Sequence, residues 1–520
     1  MLKTTNPRTG VSATINRQPS TRTDVEAAAE QAEIAWRELM RRGRAFRAEL
    51  LEAIATYVEE AREGLITTAD SETGLGTARL NGEVSRSVFQ FRLFAEAVRE
   101  GSYLEAMIDS AGRTPLGDAP DVRRMLVSIG PVAVFGSSNF PFAFSVLGGD
   151  TASAIAAGSS VVVKAHGSHL LTSQLSLDVL QQAARAVNAP EGTFGAVFGQ
   201  EAGLALVKHP AIKAASFTGS LFAAESLQRA INTRPDPIPF FGELSSVNPL
   251  IVSEGAAKAR GADIASNLFA SFTGSAGQLC TKPGIAFVPE GPQGQLLVDS
   301  LTQLTQQAPS QVLLNDRIRT SFAEISEGLV RAGATPLAGM QDAARSRLEE
   351  PAEEPSGAFS VAPALLETRA SILSADLAEE CFGPLIVIVR YTSLDEVAEA
   401  FTHIPKSLTA TLHFEEDEDD VLSRLLPTLQ DNAGRIVFNG YPTGVRVTWA
   451  QHHGGSWPST NSQHTSVGVT AMRRFLRPVA WQNAPAAALP EELRDDFTAI
   501  PRRVNGVLAL SEKVTVLSGT

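Results

Sequence analysis

Over residues 24–66 apolar side chains recur every three or four positions, with Ala28, Ala32, Ala35, Trp36 and Leu39 on one stripe and Glu and Arg opposite. This spacing predicts a helix opened by a capping box of Thr23 and Glu26, and a second helix over about 47–63. From Arg124 the period changes. Val127 to Phe135 is short, rich in β-formers and broken by Gly130-Pro131, which predicts strands on either side of a turn. Next come a small-residue helix over 151–157, a buried strand over 160–164 and a helix over about 173–187. A strand and turn over 195–199, a helix near 202–208 and a strand over 214–220 ending in glycine complete this half. A second alternating region follows Glu243, with strands over 249–252, 285–288, 385–389 and 436–438. Strands alternating with helices imply parallel sheets covered on both faces, so the fold class is α/β.

Composition narrows the class. A chain of 520 residues should hold two or three structural units, and 43% apolar with 19% charged residues is ordinary for a globular protein. The net charge of −13 argues against nucleic acid or an anionic membrane as partner. Two cysteines cannot make a disulfide framework, and a reactive thiol survives best in a reducing compartment. Met1 to Pro7 lacks an apolar stretch and no run is long enough to span a bilayer, so the sequence predicts a cytoplasmic enzyme. Residues 341–358, rich in Glu, Pro, Ser and Ala, are expected to form a surface loop. The acidic run from Glu415 to Asp420 is either an interaction segment or the negative first turn of a helix running to about Leu429.

Candidate chemistry centres on Cys280, in Gly277-Gln278-Leu279-Cys280-Thr281-Lys282-Pro283-Gly284, and on Glu243, in Phe241-Gly242-Glu243-Leu244-Ser245-Ser246. A thiolate attacks carbonyl carbon, and a carboxylate can serve as its general base or activate a water, so the pair suits acyl transfer. The alternatives are a buried free cysteine and a surface carboxylate. His452-His453-Gly454-Gly455 suggests a metal site, but no Cys, Asp or Glu stands nearby at ligand spacing, so no metal is expected.

Several segments, in order along almost the whole chain, carry a resemblance. They are Glu72-Thr73-Gly74-Leu75, Gly136-Ser137-Ser138-Asn139-Phe140-Pro141, Val146-Leu147-Gly148-Gly149-Asp150-Thr151-Ala152, Phe217-Thr218-Gly219-Ser220, Glu380-Cys381-Phe382-Gly383-Pro384, Phe438-Asn439-Gly440-Tyr441-Pro442-Thr443-Gly444-Val445 and Thr465-Ser466-Val467-Gly468. With the Cys280 and Glu243 segments, they resemble the aldehyde dehydrogenase superfamily, and within it the branch of 2-oxoglutarate semialdehyde (2,5-dioxopentanoate) dehydrogenases.

The resemblance implies a Rossmann-type NAD(P)-binding domain over 1–105 and 128–245 and an α/β catalytic domain over 246–460. Residues 106–127 and 461–520 would form a small β bridging element for a homodimer or homotetramer, its strands near 121–127 and 475–481. It also implies that Cys280 attacks an aldehyde, that Asn139 and the Cys280 backbone N–H form an oxyanion hole, and that Glu243 activates water to hydrolyse the thioester. Asn139 read by itself is equally a turn residue.

For the cofactor, Gly-x-Gly-x-x-Gly is absent; Gly219-Ser220 opens a helix instead, and the family's third glycine is here Ala224. Lys164 matches the family lysine at the adenosine ribose. Gly167 stands where NAD-preferring members carry a glutamate, which leans the choice between NAD and NADP slightly to NADP. His166 and Ser168 could help hold a phosphate or be loop residues; Ser138 and Gly199 complete the cofactor set, and Glu380 and Phe382 match residues at the nicotinamide ribose. Cys381 is expected to be structural. For the substrate, Arg446 is a candidate carboxylate clamp or a solvated loop arginine, and Phe140, Phe142 and Trp449 line a tunnel or fill the core. Alternatives to dioxopentanoate oxidation are a fatty or general aldehyde dehydrogenase and an inactive scaffold of the same fold. A CoA-acylating enzyme fits less well, because it would have no need of Glu243 to deliver water.

Overall fold

The computed structural model describes residues 1–340 and 359–511; the expected 341–358 loop lies outside the described residues. The first sheet is parallel and five-stranded, in the order Phe240–Glu243, Ala214–Thr218, Val132–Phe135, Val161–Lys164 and Phe194–Val197. Its apolar runs are buried on both faces, as a helix-covered parallel sheet requires. Val132, Val134, Val161 and Val163 enter one core while Ala133, Phe135 and Val162 enter another. Chain order reverses between Val132–Phe135 and Ala214–Thr218, and the crevice beyond the carboxyl ends of these strands is where such sheets bind ligands.

The second sheet has seven strands, in the order Thr335–Ala338, Ala364–Arg369, Leu385–Tyr391, Ile285–Pro289, Leu250–Val252, Ser407–His413 and Ala433–Phe438. Only the first of these runs antiparallel to its neighbour. The same alternation sorts Phe287 and Val389 to one core, Ala286 and Ile388 to the other. A third sheet pairs Leu476–Gln482 antiparallel with Val122–Ser128, as the strand-like character of 121–127 and 475–481 led us to expect, and adds Met107–Asp109, Arg502–Val504 and Val507–Ala509.

The N-terminal region departs from the expected boundaries. The two expected helices run end to end through Arg22–Glu60, broken where Gly43 leaves helical geometry at φ 75°. Its capping box is Thr21 with Asp24, not Thr23 with Glu26, because Thr21 is the residue in extended geometry (φ −75°, ψ 170°) and the helix starts directly after it. The acidic run divides its work. Asp419 and Asp420 form the first turn of helix Asp419–Asn432. Glu418 accepts from Ser253 Oγ and the Gly255 N–H, while Glu415 pairs with Arg260 at 2.7 Å.

Candidate active site

Cys280 follows the helix Glu254–Thr273 and a tight turn, Gly274–Gly277, in which Ser275, Ala276 and Gly277 all have positive φ. Gly277 is required there. A Cβ on it would lie 2.1 Å from the Gly383 carbonyl oxygen, so only glycine lets the turn press on the Glu380–Pro384 segment. Two asparagine amides then hold the backbone on either side of the thiol. Asn139 Nδ2 donates to the Gln278 carbonyl at 2.8 Å, and Asn248 Nδ2 donates to the carbonyls of Cys280 at 2.8 Å and Lys282 at 3.0 Å. An amide nitrogen carries two hydrogens, so Asn139 keeps one beside the Cys280 segment.

Glu243 is the last residue of its strand in the first sheet, paired in register with Thr218, and Gly219 N–H donates to its carbonyl at 3.0 Å. The end of the nucleotide-type sheet thereby delivers a carboxylate to the thiol of the second unit. That carboxylate is buried and fully engaged: His453 Nε2 lies 2.9 Å from Oε1, and Ser466 Oγ donates to Oε2 at 2.6 Å. Cys280 Sγ is 3.5 Å from the same His453 nitrogen. The Thr465–Gly468 motif wraps this histidine, since Thr465 Oγ1 accepts the His453 N–H at 2.8 Å and Ser466 N–H donates to the His453 carbonyl at 2.9 Å.

These contacts shift the titration of Glu243 and Cys280 in opposite directions. Burial alone would raise the pKa of Glu243, but the neighbouring His453 and hydrogen bonds from His453, Ser466 and Cys280 outweigh it and bring it to about 2. Glu243 is therefore ionised at neutral pH and accepts from all three partners. Burial first, and the Glu243 charge second, push the Cys280 thiol well above its usual range. At neutral pH the cysteine rests as a thiol, its proton directed at the Glu243 carboxylate.

Cys280, Glu243 and Asn139 thus come together. So does His453, which local spacing had set aside as a metal ligand without partners. The corrective fact is distance along the chain: Cys280 and Glu243, 173 and 210 residues away, bring ligand-type atoms within 4.8 Å of its ring. Hydrogen bonding already engages His453 Nε2 with Glu243 Oε1, and Ser466 with Glu243 Oε2.

Around the crevice of the first sheet lie the residues singled out for a dinucleotide. Lys164 ends its strand with its ammonium desolvated, which lowers its pKa. Beyond it His166 Nδ1 accepts the Ser168 N–H, Ser168 Oγ accepts from Asn315, and Gly167 is exposed with open space where a Cβ would point. Burial drives His166 well below its usual range, so it is neutral. Gly199, at φ 103°, precedes helix Gln200–Lys208, and Ser220 caps helix Leu221–Asn232, whose first N–H groups face the crevice end of the sheet. Ser138 is half-buried in the loop after Val132–Phe135. Glu380 is raised to about 7 by burial, partly offset by Lys282 and by bonds from Ser245 and Ser246; Phe382 beside it is half-buried. Burial lifts the Cys381 thiol to about 12, in keeping with a structural residue. A helix terminus with uncapped N–H groups beside the Ser220 cap, a desolvated lysine and an open glycine corner fit a dinucleotide phosphate.

The substrate candidates separate. Phe140 is half-buried, its ring 5.1 Å from Phe144. Phe142 is fully buried in the core that includes Phe91 and Phe94, so it fills the core and lines no tunnel. Arg446 is exposed and Trp449 is 43% exposed. Solvation of the Arg446 charge removes the ground for making it the carboxylate clamp.

Residues 1–478 match the aldehyde dehydrogenase family. The chain belongs to this family. It is 42% identical over 491 residues to alpha-ketoglutaric semialdehyde dehydrogenase 2 of Azospirillum brasilense, covering 93% of this chain and 91% of that one. Identity to the alpha-ketoglutaric semialdehyde dehydrogenase of Acinetobacter baylyi (strain ATCC 33305 / BD413 / ADP1) is 39% over 493 residues, with the same coverage. The fold is similar to that of 1-pyrroline-5-carboxylate dehydrogenase from Thermus with bound NAD, at TM-score 0.77 and 19% identity over 92% of this chain and 89% of that one.

This aldehyde dehydrogenase also uses residues that the sequence reading passed over. Helix Thr77–Glu100 turns Arg79, Glu83 and Arg86, at helical spacing i, i+4 and i+7, toward the Asn139–Phe144 loop. Glu83 Oε1 accepts the N–H groups of Phe142 and Ala143 at 2.7 and 2.9 Å, which sets that loop's path. Polar residues recurring at this spacing between Val84, Val88 and Phe91 were the available signal.

Proposed function

We propose that this enzyme oxidises 2,5-dioxopentanoate (2-oxoglutarate semialdehyde) to 2-oxoglutarate with NAD or NADP. The observation that carries the chemistry is Glu243, ionised, desolvated and aimed at the Cys280 thiol. Glu243 takes the thiol proton as sulfur attacks the aldehyde carbon, and the Nε2–H of His453 faces the sulfur as it gains charge. The oxygen of the resulting thiohemiacetal is met by the remaining Asn139 amide hydrogen and the Cys280 backbone N–H. The bound dinucleotide supplies the acceptor for the aldehyde hydride. Glu243, its proton released, then removes one from water, which attacks the thioester and frees the acid and the thiol.

Gly167, with no carboxylate to repel a 2′-phosphate, supports a lean to NADP. The relatives' names support the dioxo acid, and the Phe140–Phe144 ring pair is the observation on the side of an apolar aldehyde. We also take the third sheet, with Leu476–Gln482 at its edge, as the bridging element of a homodimer or homotetramer, the first and second sheets as the centres of the cofactor and catalytic domains, and a reducing cytoplasm as the setting for the two free thiols. Among the described residues no helix is long and apolar enough to cross a membrane. Cys280→Ala should abolish NAD(P)H formation from the aldehyde while dinucleotide binding, followed by fluorescence quenching, persists. Turnover by that variant would defeat the mechanism.

A further inference from the structure

The guanidinium of Arg86 is an incomplete site. Among the described residues only Nη1 has a hydrogen-bond partner, the Val445 carbonyl. Nε and Nη2 are shielded from solvent and have no hydrogen-bond partner among the described residues. These two nitrogens form one side of the planar fork, the edge that receives the two oxygens of a carboxylate. Protein seldom leaves such donors unused.

The fork is also in the right place. Its carbon lies 5.5 Å from the centre of the Phe144 ring, Phe144 lies 6.4 Å from the His453 ring, and His453 is 3.5 Å from Cys280 Sγ. Arg86 feels the charges of Cys280 and Glu243, although burial is the larger influence on it. The nearby Glu83 does not satisfy it: one oxygen of Glu83 binds the Phe142 and Ala143 amides, and the other, itself without a hydrogen-bond partner, is 4.0 Å from Arg79. Arg79 repeats the arrangement one ring away, over Phe140 at 4.8 Å, with its Nη1 likewise unpartnered. The apolar ring pair is therefore backed by two desolvated cations, an environment made for a chain with an anionic end.

We infer that Arg86 binds the carboxylate of the substrate through Nε and Nη2 and selects ω-aldehydo acids over unsubstituted aldehydes. The inference rests on the dioxopentanoate reading. In that substrate the carboxylate carbon is four bonds from the aldehyde carbon, a span of about 5 Å when extended. With the aldehyde carbon at Cys280, the acid end is taken to lie on the side of the Phe144 ring, where Arg86 feels the Cys280 and Glu243 charges.

The test compares kcat/KM for 2,5-dioxopentanoate and for pentanal in the wild type, Arg86→Gln and Arg86→Lys, and measures inhibition by glutarate in each. The ratio of dioxopentanoate to pentanal should fall on the order of 10- to 100-fold in Arg86→Gln, through KM, as expected for loss of charge-assisted bonds. Arg86→Lys, which keeps the charge but lacks the fork, should recover only part of the ratio, and glutarate should inhibit both variants more weakly. A ratio unchanged in either variant, or a uniform loss on both aldehydes with glutarate inhibition intact, would make Arg86 structural and overturn the inference. A wild type without preference for the dioxo acid would instead remove the substrate reading, and this inference with it.

Discussion

Glu243 does two things to Cys280: it takes the proton of the thiol, and by its charge it holds the thiol's pKa up. Glu243→Gln separates the two. Burial remains the larger cause of the raised thiol pKa, but removing a neighbouring negative charge must lower it. Inactivation by iodoacetamide, followed against pH, should therefore shift to lower pH in the variant. Steady-state turnover should fall by roughly 10²- to 10⁴-fold, because no base is left to activate water. The first turnover of NAD(P)H should slow as well, because Glu243 also takes the thiol proton, and any thioester formed should persist on Cys280. Cys280 and Glu243 stood out as candidates from their own segments, while Asn139 was singled out only through the resemblance of its segment to the aldehyde dehydrogenase superfamily. His453 was not legible, since its partners lie far away along the chain. Arg446 and Arg86 are indistinguishable as letters. Burial separates them, and burial is a property of the fold.

Among the elements, the turn before the nucleophile is the most constrained. Gly277→Ala must place a Cβ where the Gly383 carbonyl sits and hold alanine at φ 65°. We expect a loss of about 2–4 kcal/mol in denaturant unfolding and a lower kcat, since the same turn carries Cys280. Unchanged stability and turnover would mean the turn can shift without moving the thiol. Most of the parallel strands were legible because strands buried on both faces are nearly continuous apolar runs; Ala364–Arg369 and Ser407–His413, interrupted by Glu, Ser and Thr, and the short Phe240–Glu243 were missed. Helix Thr77–Glu100 was missed because its buried face carries Glu83, Ser87 and Gln90, which interrupt the apolar period. The capping box slipped by two residues because Thr21-x-x-Asp24 and Thr23-x-x-Glu26 share one pattern and only backbone geometry separates them.

On the scale of the whole molecule, two sheets meet at one reaction. The first ends in Glu243 and opens a crevice suited to a dinucleotide, and the second carries the turn that presents Cys280. Alternation of strands and helices made this division legible as a class. Which aldehyde enters was legible only through the resemblance of the motifs to the semialdehyde branch, because the groups near the thiol come from helix Thr77–Glu100, the loop around Asn139 and the segment around His453. The most direct test of the account is kcat/KM of the wild-type enzyme for 2,5-dioxopentanoate against pentanal, with NAD and NADP each at saturation and 2-oxoglutarate measured as product. The account predicts a strong preference for the dioxo acid and one equivalent of 2-oxoglutarate per NAD(P)H; equal or better use of pentanal would contradict it.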